Sequence, residues 1–324
     1  MFGKLLTAVA AVIVLAGSVL AAHPADYPAR PISLVVAFPP GGASDVLARI
    51  LGRKLEAILG QPFVIDNRPG AGGNIAAEAV AHAAPDGYTL LLGNNSILAT
   101  NAALYQKVNF DPVKDFAPIG LVGLQANILV LNPAVAAKSL AELIALAKAN
   151  PGKLNYASSG HGLAAHLAGE LFKAEAKIDL VHVPYKGAAP ALQDVIAGHV
   201  QMMFATASSV VSHIKEGKVR ALAVTTLKRT ALFPELATMD ELGLKGFDAT
   251  TWHGLVAPAA TPKEIIGTLN RALLASLADA GVQKSLAALG VDIVSGSPED
   301  FGRYIRSEIP KWTAIVKASG ARLD

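Results

Sequence analysis

Two glycine turns stand out as places where this chain could do chemistry: Phe38-Pro-Pro-Gly-Gly-Ala-Ser-Asp45 and Arg68-Pro-Gly-Ala-Gly-Gly-Asn74. Each sits between a strand-like run and a helix-like one. Such a turn is a ready anion cradle, because free backbone N–H groups and the helix dipole point at the ligand. The question is which anion. A P-loop needs a lysine followed by Ser or Thr after its last glycine, and the first turn offers Ala43-Ser44 instead. The second turn has Gly70 and Gly72 at dinucleotide spacing, but Ile75 stands where the third glycine belongs. It reads as a tight turn that needs positive φ.

Catalytic constellations find no support. The chain has no Gly-x-Ser-x-Gly elbow and no cysteine. His161 and His166 are five apart on an expected helix, which does not place two metal ligands on one face as i,i+4 would. His182 lies on an expected strand and reads as structural, so no third zinc ligand is nominated. No cofactor and no metal are expected.

Of the 324 residues 52% are hydrophobic and 16% charged, which excludes disorder. Met1 to Lys4, the charge-free run Leu5 to Leu20 and the small residues before His23 describe an export signal cleaved after Ala21 or Ala22. A membrane anchor is the alternative, but the apolar run is short for a span. Without cysteine, acylation at the cleavage site and disulfides are both excluded. The mature chain then carries 27 Lys and Arg against 25 Asp and Glu. This near-neutral balance without basic clusters gives no reason to expect a nucleic-acid partner.

To position the turns, short β-branched runs alternate with alanine-rich helical ones, the pattern of an α/β fold with mostly parallel sheets. Strands are expected at 32–37, 63–66, 88–93, 128–131, 154–157, 180–183, 201–204 and 219–224. Val46, Leu47, Ile50, Leu51, Leu55 and Ile58 give a helix over 45–59, capped by Ser44 or Asp45 and ended by Gly60. The order suggests two lobes, the second inserted in the first: 23–124 plus 227–324, and 125–226.

Four loops then fall at the carboxyl ends of strands: 38–45, Asn94-Asn95-Ser96, Ser158-Ser159-Gly160-His161-Gly162 and Pro184-Tyr185-Lys186-Gly187-Ala188. In open parallel sheets these ends line the ligand crevice. Micromolar affinity requires about 8 kcal/mol, and a hydrogen bond to a charged group contributes roughly 1.5–3 kcal/mol. A few backbone donors from two lobes therefore suffice to hold a carboxylate.

In addition, the chain resembles the Bug family, the solute-binding proteins of tripartite tricarboxylate transporters. The likeness rests on Tyr27-Pro-Ala-Arg-Pro-Ile32, Phe38-Pro-Pro-Gly-Gly42 with Asp45 and Arg49, and Asp66-Asn-Arg-Pro-Gly-Ala-Gly-Gly73. It continues through Pro85-Asp-Gly-Tyr-Thr89, Asp115-Phe-Ala-Pro118, His182-Val-Pro-Tyr-Lys-Gly187 and Ala257-Pro-Ala-Ala-Thr-Pro262. The resemblance implies a two-lobed periplasmic binding fold of type II kind, with a ligand cleft between the lobes, and an exported monomer without enzymatic activity. It implies a small carboxylate, a di- or tricarboxylate or an aromatic acid, delivered to inner-membrane permease subunits. A sensor protein as partner and, more remotely, a hydrolytic α/β enzyme are the alternatives.

The implied pincers are Phe38, Pro40, Gly41, Gly42, Ala43, Ser44 and Asp45 on one side, and Tyr185, Lys186, Gly187 and Ala188 on the other. Asn95, Ser96, Ser158, Ser159, Gly160, His161, Ala205, Thr206, Trp252 and His253 complete the expected site. The chain departs from the family at Leu163, where serine is frequent, and at Ala205, where aspartate is. At Trp252-His253 the family commonly has an aromatic residue after the tryptophan. These departures suit a less polar carboxylate better than an amino acid.

Overall fold

In the computed structural model, which describes residues 27–323, the apolar run Ile32–Val36 forms the first strand, β1. The expected export signal, 1–22, lies outside the described residues. The elements that follow are α1 (Ala43–Leu59), β2 (Phe63–Asn67), α2 (Asn74–Ala81), β3 (Thr89–Asn94) and, after a π-turn, the short α3 (Asn101–Leu104). Next come β4 (Phe116–Gln125), β5 (Asn127–Leu131), α4 (Leu140–Ala149), β6 (Asn155–Ser158), α5 (Ala164–Ala176), β7 (Val181–Pro184) and α6 (Ala188–Ala197). The chain continues with β8 (Met202–Thr206), α7 (Ala207–Lys215), β9 (Arg220–Val224), β10 (Thr251–Pro258), α8 (Lys263–Ala278), α9 (Ala280–Ala288), β11 (Val291–Ile293) and α10 (Pro298–Ser319).

Two sheets result, ordered β11-β4-β10-β3-β1-β2 and β7-β6-β8-β5-β9. The first draws its strands from 32–125 and 251–293, the second from 127–224. Both are mixed, which corrects the expectation of mostly parallel pairing. The reason is one crossing segment. β4 leads through Ala126 directly into β5, and the strands beside it, β10 and β11 in one sheet and β8 and β9 in the other, all run antiparallel to it. The β1–β2, β1–β3, β6–β7 and β6–β8 pairs, which carry the βα turns, are parallel.

The crossing is tied by buried polar contacts. Asn127 donates its side-chain amide to Ala249 O at 3.1 Å and Thr251 Oγ1 at 3.2 Å, and Thr225 Oγ1 donates to Ala249 O at 3.1 Å. The long helix α10 packs on β4 and on α5, and so touches the layers of both sheets. Its buried Glu308 accepts the indole N–H of Trp252 at 2.9 Å and of Trp312 at 2.8 Å, with Lys311 at 3.1 Å balancing the charge.

In α1 the cap differs from the expectation. The N-cap is Gly42, Ser44 and Asp45 fall inside the first turn, and no side chain caps the helix; Gly60 ends it at φ 72°. The side chain of Asp45 instead turns back onto the preceding loop.

Candidate functional site

The carboxyl ends of β1, β3, β6, β7 and β8 open toward one cleft of about 750 Å³ between the two sheets. Among the described residues, no lysine, arginine, aspartate or glutamate lines it. What does line it is helix N-termini. The starts of α1 (Ala43, Ser44), α5 (Ala164, Ala165), α6 (Gly187, Ala188) and α7 (Ser208, Ser209) all face the cleft. The first N–H groups of a helix have no acceptor inside it, and none of these four helices has a side-chain cap. The cleft is therefore rich in backbone donors and partial positive charge without a cationic side chain.

The first wall is the 38–44 loop with the ends of β3 and β10. Gly41 sits at φ +81°, a conformation that favours glycine. The buried carboxylate of Asp45 locks the turn. It accepts the Gly41 N–H at 2.9 Å, the Asn67 amide at 3.0 Å and the Arg49 guanidinium at 2.9 and 3.0 Å. The hydrogen bond from Arg49, with those from Gly41 and Asn67, overcomes the effect of burial and holds the Asp45 carboxyl down at about 2. Asp45 thus spends its charge on the loop and presents none to the cleft.

The second wall carries α5, α6 and α7. Gly187, at φ +125°, donates its N–H to Ser159 O at 3.1 Å, and Tyr185 N–H reaches Ser158 O at 3.0 Å, so the two loops of this wall are laced together. The Tyr185 hydroxyl donates to Asp194 at 2.6 Å on the outer side of α6; burial first, then that carboxylate, raise its pKa to about 12. Thr206 and Ser209 exchange hydroxyl contacts at the α7 start, 3.1 Å from Thr206 Oγ1 to Ser209 Oγ and 2.8 Å from Ser209 Oγ to Thr206 O.

Of the expected site residues, Phe38, Pro40, Gly41, Gly42, Ala43, Ser44, Asn95, Ser96, Ser159, Gly187, Ala188, Ala205, Thr206 and His253 line the cleft. Asp45, Ser158, Gly160, His161, Tyr185, Lys186 and Trp252 do not. Asp45 and Tyr185 act as fasteners, as described. Trp252 is fully buried and donates to Glu308, because on β10 neighbouring residues face opposite sides: Thr251 and His253 point to the cleft and Trp252 to the core.

The cleft also holds residues outside the expected set. Gln125, Asn127 and Thr251 come from the crossing strands, and Ser208 and Ser209 from α7. The carboxamide of Asn95 and Nδ1 of His253 are buried without a hydrogen-bond partner. Burial lowers the His253 pKa to about 4, so this imidazole is neutral near pH 7.

Three histidines gather behind the second wall, and the place of His161 corrects one expectation. His161 is not on the helix with His166 but in the loop before α5, whose N-cap is Leu163. His182 then joins them as a third imidazole. Its Nε2 lies 2.6 Å from Ser158 Oγ, and Gly162 N–H donates to His166 Nδ1 at 2.9 Å. Burial first, then the neighbouring imidazoles, lower the pKa of His166 to about 4 and of His182 to about 3.

Residues 47–321 match the model of the tripartite tricarboxylate transporter family receptor. Protein BugT of Bordetella pertussis is 39% identical over 321 residues, covering 99% of this chain and 98% of that protein. A UPF0065 protein of Pseudomonas sp. strain P51, from the tcbD–tcbE intergenic region, is 39% identical over 90% of this chain and 86% of its own length. Among solved structures, R. palustris Rpa4515 with adipate superposes at a TM-score of 0.83 with 38% identity, covering 92% of this chain and 100% of that one. MatC of Rhodopseudomonas palustris with bound malate follows at 0.79 and 34%, covering 90% and 100%. These are solute-binding receptors and not enzymes, and the mixed two-sheet α/β fold is theirs. The chain belongs to the Bug family of receptors of the tripartite tricarboxylate transporter type.

Proposed function

We propose that this chain is a periplasmic receptor whose two lobes, 23–124 plus 227–324 and 125–226, close on a small carboxylate and deliver it to an inner-membrane permease. The observation that carries this reading is the meeting of four helix starts without side-chain caps and the glycine-bearing loops 38–44 and 184–188 at a cleft that, among the described residues, no charged side chain lines. A single compact negative group satisfies several N–H donors at once, and a cation there would face four positive dipole ends. The binding residues are those of the cleft named above, with Gly42, Ala43 and Ser44 on one side and Gly187 and Ala188 on the other.

The rest of the cleft bears on the ligand's other end. Phe38, Leu163, Met203, Phe204 and Leu289 are apolar, and Asn95 and His253 offer unpartnered polar atoms. Among the described residues, no carboxylate faces the cleft to meet an amine. This favours an aliphatic or aromatic acid, or a dicarboxylate, over an amino acid. Adipate and malate, held by the two related receptors, are acids of that kind.

Calorimetry of the untagged mature protein against adipate, malate, aspartate and benzoate tests the reading. One-to-one binding of at least one acid other than aspartate at micromolar concentration is the expected result. Binding of aspartate alone overturns the ligand class, and binding of none with turnover of an ester overturns the receptor itself.

A further inference from the structure

Behind the second wall, His161, His166 and His182 each bring an imidazole nitrogen to within 4.8 Å of the others. They come from three places in the chain: the loop before α5, the first turn of α5, and the middle of β7. We propose that these three imidazoles bind one divalent transition-metal ion of the zinc, nickel or cobalt class. Neutral imidazole nitrogens suit such ions and discriminate against magnesium and calcium, which take oxygen ligands. Three protein ligands leave a fourth position for water, as in other three-histidine zinc sites.

The geometry also says what must move. Bonds of about 2.0–2.1 Å place the nitrogens of a tetrahedral site about 3.3 Å apart, so the set has to contract. His166 and His182 are stacked, with ring centroids 4.0 Å apart and 18° between their planes. A metal lies in the plane of each imidazole that binds it, so one of these two rings must turn. His161 already stands edge-on to both, at 83° to His166 and 88° to His182, and it is exposed. The turn exchanges a hydrogen bond for a coordinate bond, either Gly162 N–H to His166 Nδ1 or the His182 contact with Ser158 Oγ.

Glu170 completes the surroundings. Its Oε1 is 4.0 Å from His166 Nε2 and accepts the Tyr156 hydroxyl at 2.6 Å and Lys173 at 3.1 Å. This carboxylate is placed to orient a ligand imidazole, the role outer carboxylates play at histidine-bound metals. The ion would join the 158–163 loop to β7 just behind the residues that line the cleft. The site and the cleft are separate: His161, His166 and His182 do not line the cleft.

The test uses the full mature chain without an affinity tag, stripped with a chelator. Calorimetry with Zn²⁺ is expected to show one site, and Co²⁺ to give the visible absorption of a tetrahedral complex. H161A removes an exposed ligand without touching the core, and is expected to weaken Zn²⁺ binding at least tenfold and abolish the Co²⁺ spectrum. Zn²⁺ should also raise the melting temperature of the wild type and not of H161A. H199A, at an exposed histidine elsewhere, is the control and should change nothing. Unchanged affinity in H161A, which assigns the ion to surface histidines, or no one-to-one binding at all, overturns the proposal.

Discussion

The two walls of the cleft reach the same end by different means. The first offers a single helix start, α1, and fastens its glycine turn with a charge, the Asp45 carboxylate held by Gly41, Asn67 and Arg49. The second offers three helix starts and fastens its loops mainly with neutral groups, backbone contacts between 158–159 and 185–187 and imidazoles kept uncharged by burial, with the Tyr185 hydroxyl on the Asp194 carboxylate as its charged contact. Elsewhere in the molecule, α4, α9 and α10 carry side-chain caps from Ser139, Asp279 and Ser297. None of these three starts faces the cleft. A side-chain cap occupies one or two of a helix's free N–H groups; the four cleft-facing starts carry no such cap, although in α7 the Ala207 N–H is already taken by Ala126 O at 3.0 Å.

The strongest way to break this picture is to supply the missing cap. Ala188→Asp places a carboxylate at the α6 start, where it competes for the same N–H groups and repels an anionic ligand. Ala43→Asp does the same on the first wall. Each is expected to lower carboxylate affinity by roughly 100-fold, the loss of one or two charge-assisted hydrogen bonds. Neither should destabilise the fold, because an acid in the first turn favours the helix by about 0.3–1 kcal/mol. Affinity by calorimetry and melting temperature should thus move in opposite directions. A wall whose variant binds normally is not part of the site.

Next in size is the charged fastener. Asp45→Ala leaves the Gly41 N–H without its acceptor and takes one of two acceptors from the Asn67 amide, which keeps Phe38 O, and costs about 1–3 kcal/mol in urea unfolding. Little of that comes from Arg49, whose side chain is 49% exposed. The wild type also carries a pH signature of this contact. With the folded pKa lowered to about 2, the stabilisation is complete above the unfolded carboxyl range and is lost as pH falls toward 2. In D45A the acid limb of the stability profile should be shallower by that contribution. An unchanged limb would mean that the turn holds without its carboxylate.

Glycine geometry separates the walls again, at a smaller scale. Gly42 has φ −75°, and a Cβ there would stand 3.4 Å from Pro39 O, so Gly42→Ala should leave stability unchanged. Gly187 has φ +125° and ψ 168°, a region reserved to glycine, and Gly187→Ala should cost about 1–3 kcal/mol despite open space around the new methyl. Equal melting temperatures for the two variants would remove the distinction.

How much of this was legible follows from particular residues. The glycine turns, their strand-to-helix setting and Gly60 as a helix end were readable because backbone demands show directly in residue type. The crossing strand β4 was not, since Pro118, Gly120 and Gly123 interrupt the β-branched pattern that marks a strand. With it went Gln125 and Asn127 on the cleft. Helix α7 is absent from the expected elements, although Val210, Val211 and Ile214 carry helical spacing, and its start supplies Ser208 and Ser209. Trp252 could have been excluded from the expected site without coordinates, because a strand cannot turn two consecutive side chains to one face. The histidine cluster was out of reach: His166 and His182 meet only through the packing of α5 on β7, which local spacing does not encode.

The smallest expected effect falls on the only cation in the 38–45 and 184–188 loops, Lys186. It sits between Tyr185 and Gly187, where sequence alone invites the reading of a carboxylate clamp. In the folded chain Tyr185 and Gly187 are fixed by backbone contacts to Ser158 and Ser159, while Lys186 is exposed and absent from the cleft lining. An exposed ammonium is screened by water and salt, and contributes about 0–1 kcal/mol to a nearby charge. Lys186→Gln should therefore change carboxylate affinity by no more than about fivefold, an effect that vanishes at high salt. A loss comparable to that of Ala188→Asp, persisting in salt, would show that closure brings the ammonium onto the ligand. The second wall would then hold its anion by charge as well as by helix starts, and the contrast with the first would narrow to the fasteners alone.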